Sequence, residues 1–478
     1  MRNSLYSRIA EKIASQIRSG AIPVGGRIPS VRQLSRQENV SISTVMAAYS
    51  RLEEQGWVEV RPKSGYYVCR RAREPLAIPD APEVQSRPVL ATTSQLVMDV
   101  QQDGSKPRAI SFSRATPALD FPIIRHVQQT YTRLARTGKH IGIGYRSTEG
   151  LFTLRQQIAR HAVYAGVAVS PDSIVTTVGS LNAMGLCVQV LTRPGDVVAV
   201  ESPCYYGILQ LIEAHGLKAI EIPVHPETGM SLEALKLAME QWPLKAVVTV
   251  SSFSNPLGCS IPDERKKELV SLLEHYQVPL IEDDIYGDLY FGERRTSAVK
   301  AFDTQGLVML CSSLSKTIDP QLRVGWILAG RHYEEILHRK FIAMLSTPIL
   351  PEQVSAEILG QGIYERHLRQ AREAYLRRYL RLVDLVSEYF PPVIKISRPQ
   401  GGIVAWIELP RGIDTTKLYH FCRDRDVLIA PGEIFSFNKQ YRHCFRLNYA
   451  PRWTPEREKA IQRLGRWVTD LVDRLEGK

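Results

Sequence analysis

The chain has 478 residues, more than one compact hydrophobic core usually organises, so we expect two or three domains. Its seven cysteines are odd in number and form no Cys-x-x-Cys pair, which argues against a disulfide framework and a zinc module. The charged N-terminus is unlike a signal peptide, and no apolar run approaches the roughly 18 residues of a membrane span. We therefore expect a cytoplasmic protein that needs neither a metal nor a membrane.

The positive charge is concentrated near the N-terminus. The formal net charge is +12, and residues 1–75 carry 13 lysines and arginines against 6 aspartates and glutamates. More than half of the excess therefore lies in a small part of the chain. A surface that binds nucleic acid has such an excess, and so does an ordinary solvated basic surface.

Three helices are predicted in this basic segment. The first has an apolar residue at every fourth position and ends at Gly20; its stripe is Leu5, Ile9, Ile13 and Ile17. Ser30, with Gln33 three residues later, predicts a capping-box start for the second helix. The third begins between Ser41 and Ser43 and ends at Gly56, and its inward side chains are Val45, Ala48, Tyr49 and Leu52.

The first turn of the third helix carries hydroxyls that face outward. Hydroxyls at such a turn contact bases and phosphates when the second helix of a helix-turn-helix enters the major groove. Residues 57–68 then predict two short strands around a basic wing at residues 61–65. A winged helix that binds another protein would have the same elements.

Residues 26–68 resemble the GntR family of bacterial transcription factors in order and spacing. The resemblance implies a DNA-binding domain at residues 1–70. It implies DNA contacts from Arg32, Ser41, Ser43, Thr44 and Lys63. The chain departs from the family at Ile42 and Met46, which are apolar where many members carry basic residues. Loss of a guanine-reading arginine changes base preference, so the operator sequence stays open.

Residues 71–107 predict a linker. Prolines at positions 75, 79, 82 and 88 leave no room for a long helix and favour a semi-extended tether. A small helix is predicted within residues 90–100.

From residue 108 onward, apolar runs alternate with helical stretches. This rhythm predicts an α/β domain at residues 108–478, with a mostly parallel sheet and ligand sites at the strand ends. The predicted strands are residues 173–178, 196–201, 246–252, 279–284, 307–313 and 323–330.

Lys316 follows one of these strands, so its amine can form a Schiff base with an aldehyde cofactor. Ser313, Ser315 and Arg323 flank it with the donors that a phosphate requires. A lysine after a serine is also a common solvated surface residue.

Asp283 ends a very apolar strand, and Tyr286 follows three residues later. A carboxylate at this position can keep a pyridine nitrogen protonated, and the tyrosine can donate to a ring oxygen. Carboxylates that cap the following turn are the alternative interpretation.

Three further segments carry weaker signals. Gly179, Ser180 and Leu181 lie between a strand and a helix, where free N–H groups bind phosphate. Tyr205, or with less support Tyr206, offers a flat face to a ring, although core burial is the commoner fate of a tyrosine. Asn255 precedes Pro256 and can bind a cofactor oxygen or serve as a turn residue.

The order of these residues resembles the fold-type I aminotransferases, with a small subdomain at roughly residues 350–478. The resemblance implies pyridoxal 5'-phosphate as the cofactor and catalytic roles for Lys316, Asp283 and Tyr286. It also implies that Tyr145 reaches the phosphate of the partner subunit and that Arg446 binds a substrate carboxylate. Leu181 departs from the family, in which a polar residue is common at its position.

Together the two parts resemble the MocR subfamily of GntR regulators. The resemblance implies a head-to-tail homodimer that senses the cofactor or an amino-acid-like effector through an external aldimine and regulates transcription at an operator. Two alternatives stay open: a working aminotransferase with an appended DNA-binding domain, and a protein that stores or salvages the cofactor. The sequence does not identify the effector, the target genes or the sign of regulation.

Overall fold

The structure, a computed structural model, describes residues 5–18, 22, 25–54, 57–61, 64–68, 76–82, 87–90, 95–104, 106, 108–138 and 144–477. The chain separates into two units, Met1–Leu76 and Ala77–Lys478. The predicted helix ends at Gly20 and Gly56 and the predicted wing contact Lys63 lie outside the described residues.

Within its described residues, the first unit consists of three helices followed by an antiparallel hairpin. The elements are α1 (Leu5–Arg18), α2 (Val31–Gln37), α3 (Ile42–Glu54), β1 (Val58–Arg61) and β2 (Gly65–Val68). Val58 pairs with Val68 and Arg61 with Gly65, so the hairpin turn falls at the predicted wing. This order of elements confirms the predicted winged helix-turn-helix.

The core of the first unit forms between one face of α1 and one face of α3. Among the buried side chains of this core are seven that the sequence analysis singled out: Ile9, Ile13, Ile17, Val45, Ala48, Tyr49 and Leu52. Leu5, the first residue of the predicted stripe, stands in the first turn of α1 and is 51% exposed.

Two hydrogen bonds fix the start of α2. The Ser30 Oγ accepts the Gln33 N–H at 3.3 Å, so the serine half of the predicted capping box is present. The Tyr49 hydroxyl donates to the carbonyl of Pro29 at 2.6 Å. These bonds hold α2 against α3, which carries the outward hydroxyls.

The second unit is larger and mixes helices with strands. Its strands are β3 (Val89–Leu90), β4 (Ile110–Ser111), β5 (Ile174–Thr177), β6 (Val197–Ser202), β7 (Lys218–His225), β8 (Gly229–Met230), β9 (Leu244–Thr249), β10 (Leu280–Asp283), β11 (Val308–Ser313), β12 (Gly325–Leu328), β13 (Lys395–Ile396), β14 (Val404–Glu408), β15 (Val427–Leu428), β16 (Ala430–Pro431) and β17 (Cys444–Asn448).

Helices accompany these strands along the chain. They are α4 (Gln95–Asp103), α5 (Ile123–Thr137), α6 (Phe152–Ala162), α7 (Ser180–Leu191), α8 (Tyr206–Ala214), α9 (Leu232–Gln241), α10 (Asp263–Tyr276), α11 (Tyr333–Met344), α12 (Ile349–Gly360), α13 (Ile363–Tyr389), α14 (Thr415–Arg423) and α15 (Pro455–Leu475). Among the described helices, none combines the length and the hydropathy that crossing a bilayer requires.

The large sheet has the order β3-β7-β6-β9-β10-β11-β12-β5, and β8 pairs with β7. Strands β7, β6, β9, β10 and β11 run parallel, whereas β12 is antiparallel to both of its neighbours. This mostly parallel sheet with helices confirms the predicted α/β class. Parallel strands end at one common edge, and β10 and β11 bring Asp283 and Ser313 to that edge.

A second sheet lies toward the C-terminus of the chain. It is antiparallel and has the order β13-β14-β17-β16. Strand β4 pairs in parallel with β15, so residues near position 110 join this C-terminal part. The small-subdomain boundary at residue 350 stays a prediction.

The structure differs from the predicted tether after residue 76. The Ala77 carbonyl accepts the Ile396 N–H at 2.9 Å, and Val89 pairs with Ala219 in the large sheet. The predicted small helix is α4, whose buried apolar residues are Leu96, Val97 and Val100. This segment therefore folds as part of the second unit, because its apolar side chains and strand edge find partners there.

The fold predicts that Leu52→Ala destabilises the first unit by about 2–5 kcal/mol, because it opens a cavity in a fully buried core. Hydrogen exchange of α3 peptides in the full-length protein, followed by mass spectrometry, measures this loss of protection. The control is Leu5→Ala, whose exposed side chain predicts a change within about 0.5 kcal/mol. Equal protection in the two variants would contradict the assigned core.

Candidate functional site

Lys316 lies three residues after β11, at the carboxyl edge of the large sheet. Its amine donates to the carbonyl of Ala115 at 2.6 Å. Burial, together with the positive charge of Arg446, lowers the pKa of the amine to about 8. A neutral amine is the nucleophilic form, so this environment favours attack on an aldehyde near neutral pH.

Asp283 ends β10, the parallel neighbour of β11. Its side-chain oxygen Oδ1 is buried and has no hydrogen-bond partner. Burial, and then the negative charge of Asp284, raises the pKa of Asp283 to about 7, while the charge of Lys316 opposes the rise. The two groups that the sequence assigns to opposite ends of one ring therefore lie close enough to act on each other's charge.

A buried ionic network stands behind Asp283. Arg295 binds the carboxylates of Asp284 and Asp288, and His161 Nε2 lies 2.8 Å from Asp288 Oδ2. The Tyr364 hydroxyl donates to the same oxygen at 3.0 Å. The positive charges of His161 and Arg295 hold the pKa of Asp288 far below its usual range. The sequence analysis missed this network, because His161 and Asp288 are distant in sequence and only the fold joins them.

Gly179 and Arg323 meet at the start of α7. Gly179 has φ +88°, and a Cβ on it would stand 2.6 Å from Arg323 Nη2, so only glycine fits. The same nitrogen donates to the Val178 carbonyl at 2.6 Å. The free N–H groups and the dipole of a helix start, beside a guanidinium, form an anion-binding arrangement. Ser180 is buried at this start, whereas Leu181 is 43% exposed and offers only its backbone.

The two predicted serines, one at the end of β11 and one just after it, lie inside the protein. Ser313 is buried, and its Oγ accepts the Ser315 N–H at 3.3 Å. Ser315 is buried as well. Tyr145 is 83% exposed, so within one chain its ring is free to meet another surface.

Three tyrosine side chains lie in the neighbourhood of Asp283. The Tyr205 and Tyr206 rings lie 4.7 Å apart, centroid to centroid. Burial raises the pKa of Tyr205 well above its usual value, and the charges of Arg446 and Asp283 also act on it. Tyr286 is buried, its pKa is raised by burial, and the charges of Arg446 and Asp283 reach it as well.

Arg446 of β17 is fully buried. Its Nη1 donates to Asn255 Oδ1 at 2.8 Å, and its Nη2 donates to the Ser113 carbonyl. Its Nε is buried without a partner. A buried guanidinium with a free donor can bind a carboxylate in a bidentate or end-on manner.

These residues fit pyridoxal 5'-phosphate on observations of the chain itself. A buried carboxylate with one unpartnered oxygen matches a protonated pyridine nitrogen, and an amine with a lowered pKa matches an aldehyde. The N–H groups at the start of α7 match a phosphate, and Gly179 at this position leaves no room for a side chain.

A separate cavity of about 580 Å³ lies in the second unit, and its lining includes Glu408, His443 and Cys444. Their ligand atoms stand within 4.8 Å of one another, a grouping that the sequence analysis did not foresee. The Glu408 carboxylate is already bound by Lys395 at 3.1 Å. A cation would have to compete with that ammonium group.

In the first unit, the first turn of α3 is exposed as predicted. The Ser41 Oγ lies 2.8 Å from both the Ser43 Oγ and the Thr44 Oγ1. Ser41 and Ser43 are exposed, and so is Arg32 on α2. The apolar Ile42 stands between the two serines and is 52% exposed.

The comparisons with known proteins match both units. Residues 5–68 match the bacterial regulatory proteins of the gntR family, and residues 123–464 match the aminotransferase class I and II family. The uncharacterized HTH-type transcriptional regulator YjiR of Escherichia coli is 38% identical over 97% of this chain and 98% of its own length. The chain belongs to the MocR subfamily of GntR transcriptional regulators.

Solved aminotransferases share the fold of the larger unit of this MocR protein. The multiple substrate aminotransferase of Thermococcus profundus has a TM-score of 0.73 and 25% identity, over 80% of this chain and 96% of its own. LysN, an α-aminoadipate aminotransferase of Thermus thermophilus complexed with N-(5'-phosphopyridoxyl)-L-leucine, has a TM-score of 0.73 and 26% identity, over 79% and 95%. These comparisons confirm the predicted fold of the MocR protein. They also confirm the predicted cofactor, pyridoxal 5'-phosphate.

We predict opposite effects for two adjacent aspartates. Without cofactor, Asp283→Asn should raise the free energy of unfolding by about 1–4 kcal/mol at pH 8. The folded-state pKa of Asp283 is raised, so its ionised form costs stability above pH 7, and the cost disappears as pH falls toward the unfolded value. Asp284→Asn should instead destabilise by about 1–3 kcal/mol, because Arg295 loses one of its two buried carboxylate partners.

Chemical denaturation of the two cofactor-free variants at pH 5 and pH 8 checks this prediction. The gain from Asp283→Asn should shrink at pH 5, where the wild-type carboxyl is protonated. The same variant should also bind pyridoxal 5'-phosphate more weakly than wild type. A loss of stability in Asp283→Asn at pH 8 would contradict the assignment of Asp283 as an uncompensated carboxylate.

Lys316→Ala should abolish the visible absorbance of lysine-bound cofactor while leaving the fold and DNA affinity largely intact. Absorbance spectroscopy with added pyridoxal 5'-phosphate measures the first effect, and a DNA titration measures the second. Lys267→Ala, on the exposed side of α10, is the matched control and should keep the wild-type spectrum. An unchanged spectrum in Lys316→Ala would show that another amine holds the cofactor.

Proposed function

We propose that this MocR protein is a sensor in which an amino-acid-like effector acts at Lys316 and changes how the chain binds its operator. The family membership makes the chain a pyridoxal 5'-phosphate-dependent DNA-binding regulator. The observation that carries the proposal is the buried Oδ1 of Asp283, which has no hydrogen-bond partner, together with an amine at Lys316 whose pKa is lowered.

When bound, pyridoxal 5'-phosphate supplies an aldehyde on an electron-withdrawing ring. We assign Lys316 as the amine that holds the cofactor and yields to an effector amine. We assign Asp283 to keep the ring nitrogen protonated, and Tyr286 and Asn255 to bind the ring oxygen. Tyr205 would cover a ring face. The phosphate would be held by Gly179, Ser180, Leu181, Ser313, Ser315 and Arg323.

We propose that Arg446 selects effectors that carry a carboxylate. The guanidinium is already oriented by Asn255 and by the Ser113 carbonyl, so it loses little conformational entropy when a carboxylate binds. Its unpartnered Nε is a donor for that anion. An amine without a carboxylate would leave this donor unsatisfied.

On the DNA side, we assign contacts to Arg32, Ser41, Ser43, Thr44 and Lys63, in a reader domain at residues 1–70. We propose a head-to-tail homodimer in which Tyr145 reaches the partner subunit's phosphate. Because the relatives act as bacterial transcription regulators, we place this activity in the cytoplasm. An effector regulates binding only when its affinity differs between the two states of the dimer.

A working aminotransferase is the second candidate, and one observation favours it. The 2-aminoadipate transaminase of Thermus thermophilus is 28% identical over 77% of this chain and 92% of its own length. The residues that we assign to the cofactor would also serve the half-reaction of such an enzyme. In that case the first unit would localise or regulate an enzyme.

The experiment adds amino acids and their decarboxylated amines to the cofactor-loaded protein and records both the visible spectrum and operator affinity. An amino acid should perturb the spectrum and shift DNA affinity without repeated product formation. Multiple turnovers with a 2-oxo acid would favour the aminotransferase instead. Selective DNA binding would rule against a storage protein.

Arg446→Lys should weaken the response to the amino acid about 10-fold or more, because a charge-assisted hydrogen bond contributes about 1.5–3 kcal/mol. The response to the decarboxylated amine, which does not use the guanidinium, should change little. Concentration curves of the spectral change measure both values. Equal weakening of the two ligands would mean that Arg446 supports the site without binding the carboxylate.

A further inference from the structure

The outward face of α3 carries two exposed apolar side chains. Ile42 is 52% exposed and Met46 is 45% exposed. They are four residues apart in one helix, so they stand one turn above the other on the same side. Neither belongs to the core of the first unit.

The first turns of α3 and the residues just before them carry no charged side chains. From Asn39 to Ser50 the sequence contains no lysine, arginine, aspartate or glutamate. The exposed cations of the neighbouring helix α2 are Arg32 and Arg36. Electrostatic attraction to phosphates can therefore come from α2, but the first two turns of α3 hold no guanidinium that could read guanine.

The hydroxyls of this turn bond to one another and keep further hydrogen-bonding capacity for the DNA contacts proposed above. The Ser41 Oγ bonds to the hydroxyls of Ser43 and Thr44, and it also accepts the Thr44 N–H at 3.2 Å. These short side chains stay close to the helix, whereas Ile42 and Met46 extend further from it. The apolar pair is thus the feature of α3 that a base edge would meet.

The major-groove edges of the four base pairs offer one apolar group, the C5-methyl of thymine. We propose that Ile42 and Met46 form a thymine-reading surface that selects the operator by contact with these methyl groups. The inference rests on the proposed DNA-binding function and adds the base that the reader selects. A face that binds a protein instead would show no dependence on a single methyl group.

The expected effect can be measured by removing that methyl group alone. Deoxyuridine keeps the base pairing of thymidine and lacks the C5-methyl. A buried carbon group contributes about 0.8 kcal/mol, which corresponds to about a fourfold change in affinity at each contacted thymine. Thymines outside the contact should show no change.

The experiment uses the full-length, cofactor-loaded protein and a duplex selected from a random-sequence library. Fluorescence anisotropy at one fixed salt concentration compares this duplex with copies that carry deoxyuridine at one thymine position each. One or two positions in each half-site should lose affinity about fourfold. In Ile42→Ala or Met46→Ala, the same replacement should cost little or nothing.

Two further variants complete the test. Leu5→Ala removes an equally exposed apolar side chain from α1 and should keep the deoxyuridine effect. Ile42→Arg should shift selection at one position from thymine toward guanine, since arginine binds the O6 and N7 of guanine.

Selective binding that is insensitive to deoxyuridine at every position would overturn the thymine-reading surface and leave the proposed function intact. Sensitivity that persists in the double variant Ile42→Ala, Met46→Ala would overturn the assignment to these side chains. Failure to select any sequence would overturn the proposed function itself.

Discussion

The large unit depends on keeping an uncompensated carboxylate in its interior. A buried charge without a partner costs several kcal/mol unless the group binds a proton or a ligand. The Oδ1 of Asp283 is buried without a hydrogen-bond partner, whereas the neighbouring Asp284 is paired with Arg295. Arg295 therefore neutralises the nearby Asp284 and Asp288, whereas the chain provides no partner for the Oδ1 of Asp283. In the proposed function, a protonated ring nitrogen would satisfy this requirement, and the cost of burying the carboxylate would be offset when the cofactor binds.

The same parallel sheet explains why the amine and the acid meet. Strands β10 and β11 are neighbours and run in one direction, so the residues that follow them emerge at a single edge. Asp283 ends the first strand and Lys316 lies three residues beyond the second. Burial raises the pKa of the acid and lowers the pKa of the amine, and each charge partly opposes the shift of the other. One feature of the topology thus sets both the position and the reactivity of the pair.

Local patterns predicted the elements that local sequence controls. The four buried residues of α3, the serine cap of α2 and the strands that end at Asp283 and Ser313 follow from periodicity and capping chemistry. Strand β7 was missed, because Glu221 and Pro223 interrupt its apolar pattern, and only the fold shows that Glu221 accepts from Ser436 at 3.0 Å. The network of Arg295, Asp288 and His161 was also missed, because His161 and Asp288 are distant in sequence and only the fold joins them. The prediction of a tether beyond residue 76 was wrong, because the short strand β3 pairs with β7 and the amphipathic helix α4 buries its apolar face in the second unit.

In the proposed function, Arg446 would connect the effector carboxylate to other parts of the large unit. It lies on β17 of the C-terminal sheet, and its two terminal nitrogens bond to Asn255, which follows β9 of the large sheet, and to Ser113, which follows β4. A guanidinium has five N–H donors in one plane, and these two bonds use only two of them, so a carboxylate can bind Nε and a remaining terminal N–H without displacing either partner. A bound carboxylate would then neutralise the charge of the side chain that joins the two sheets, whereas an amine without a carboxylate would leave that charge unchanged. Under the proposed function, selectivity for the effector and its influence on the contact between the sheets would therefore reside in the same side chain.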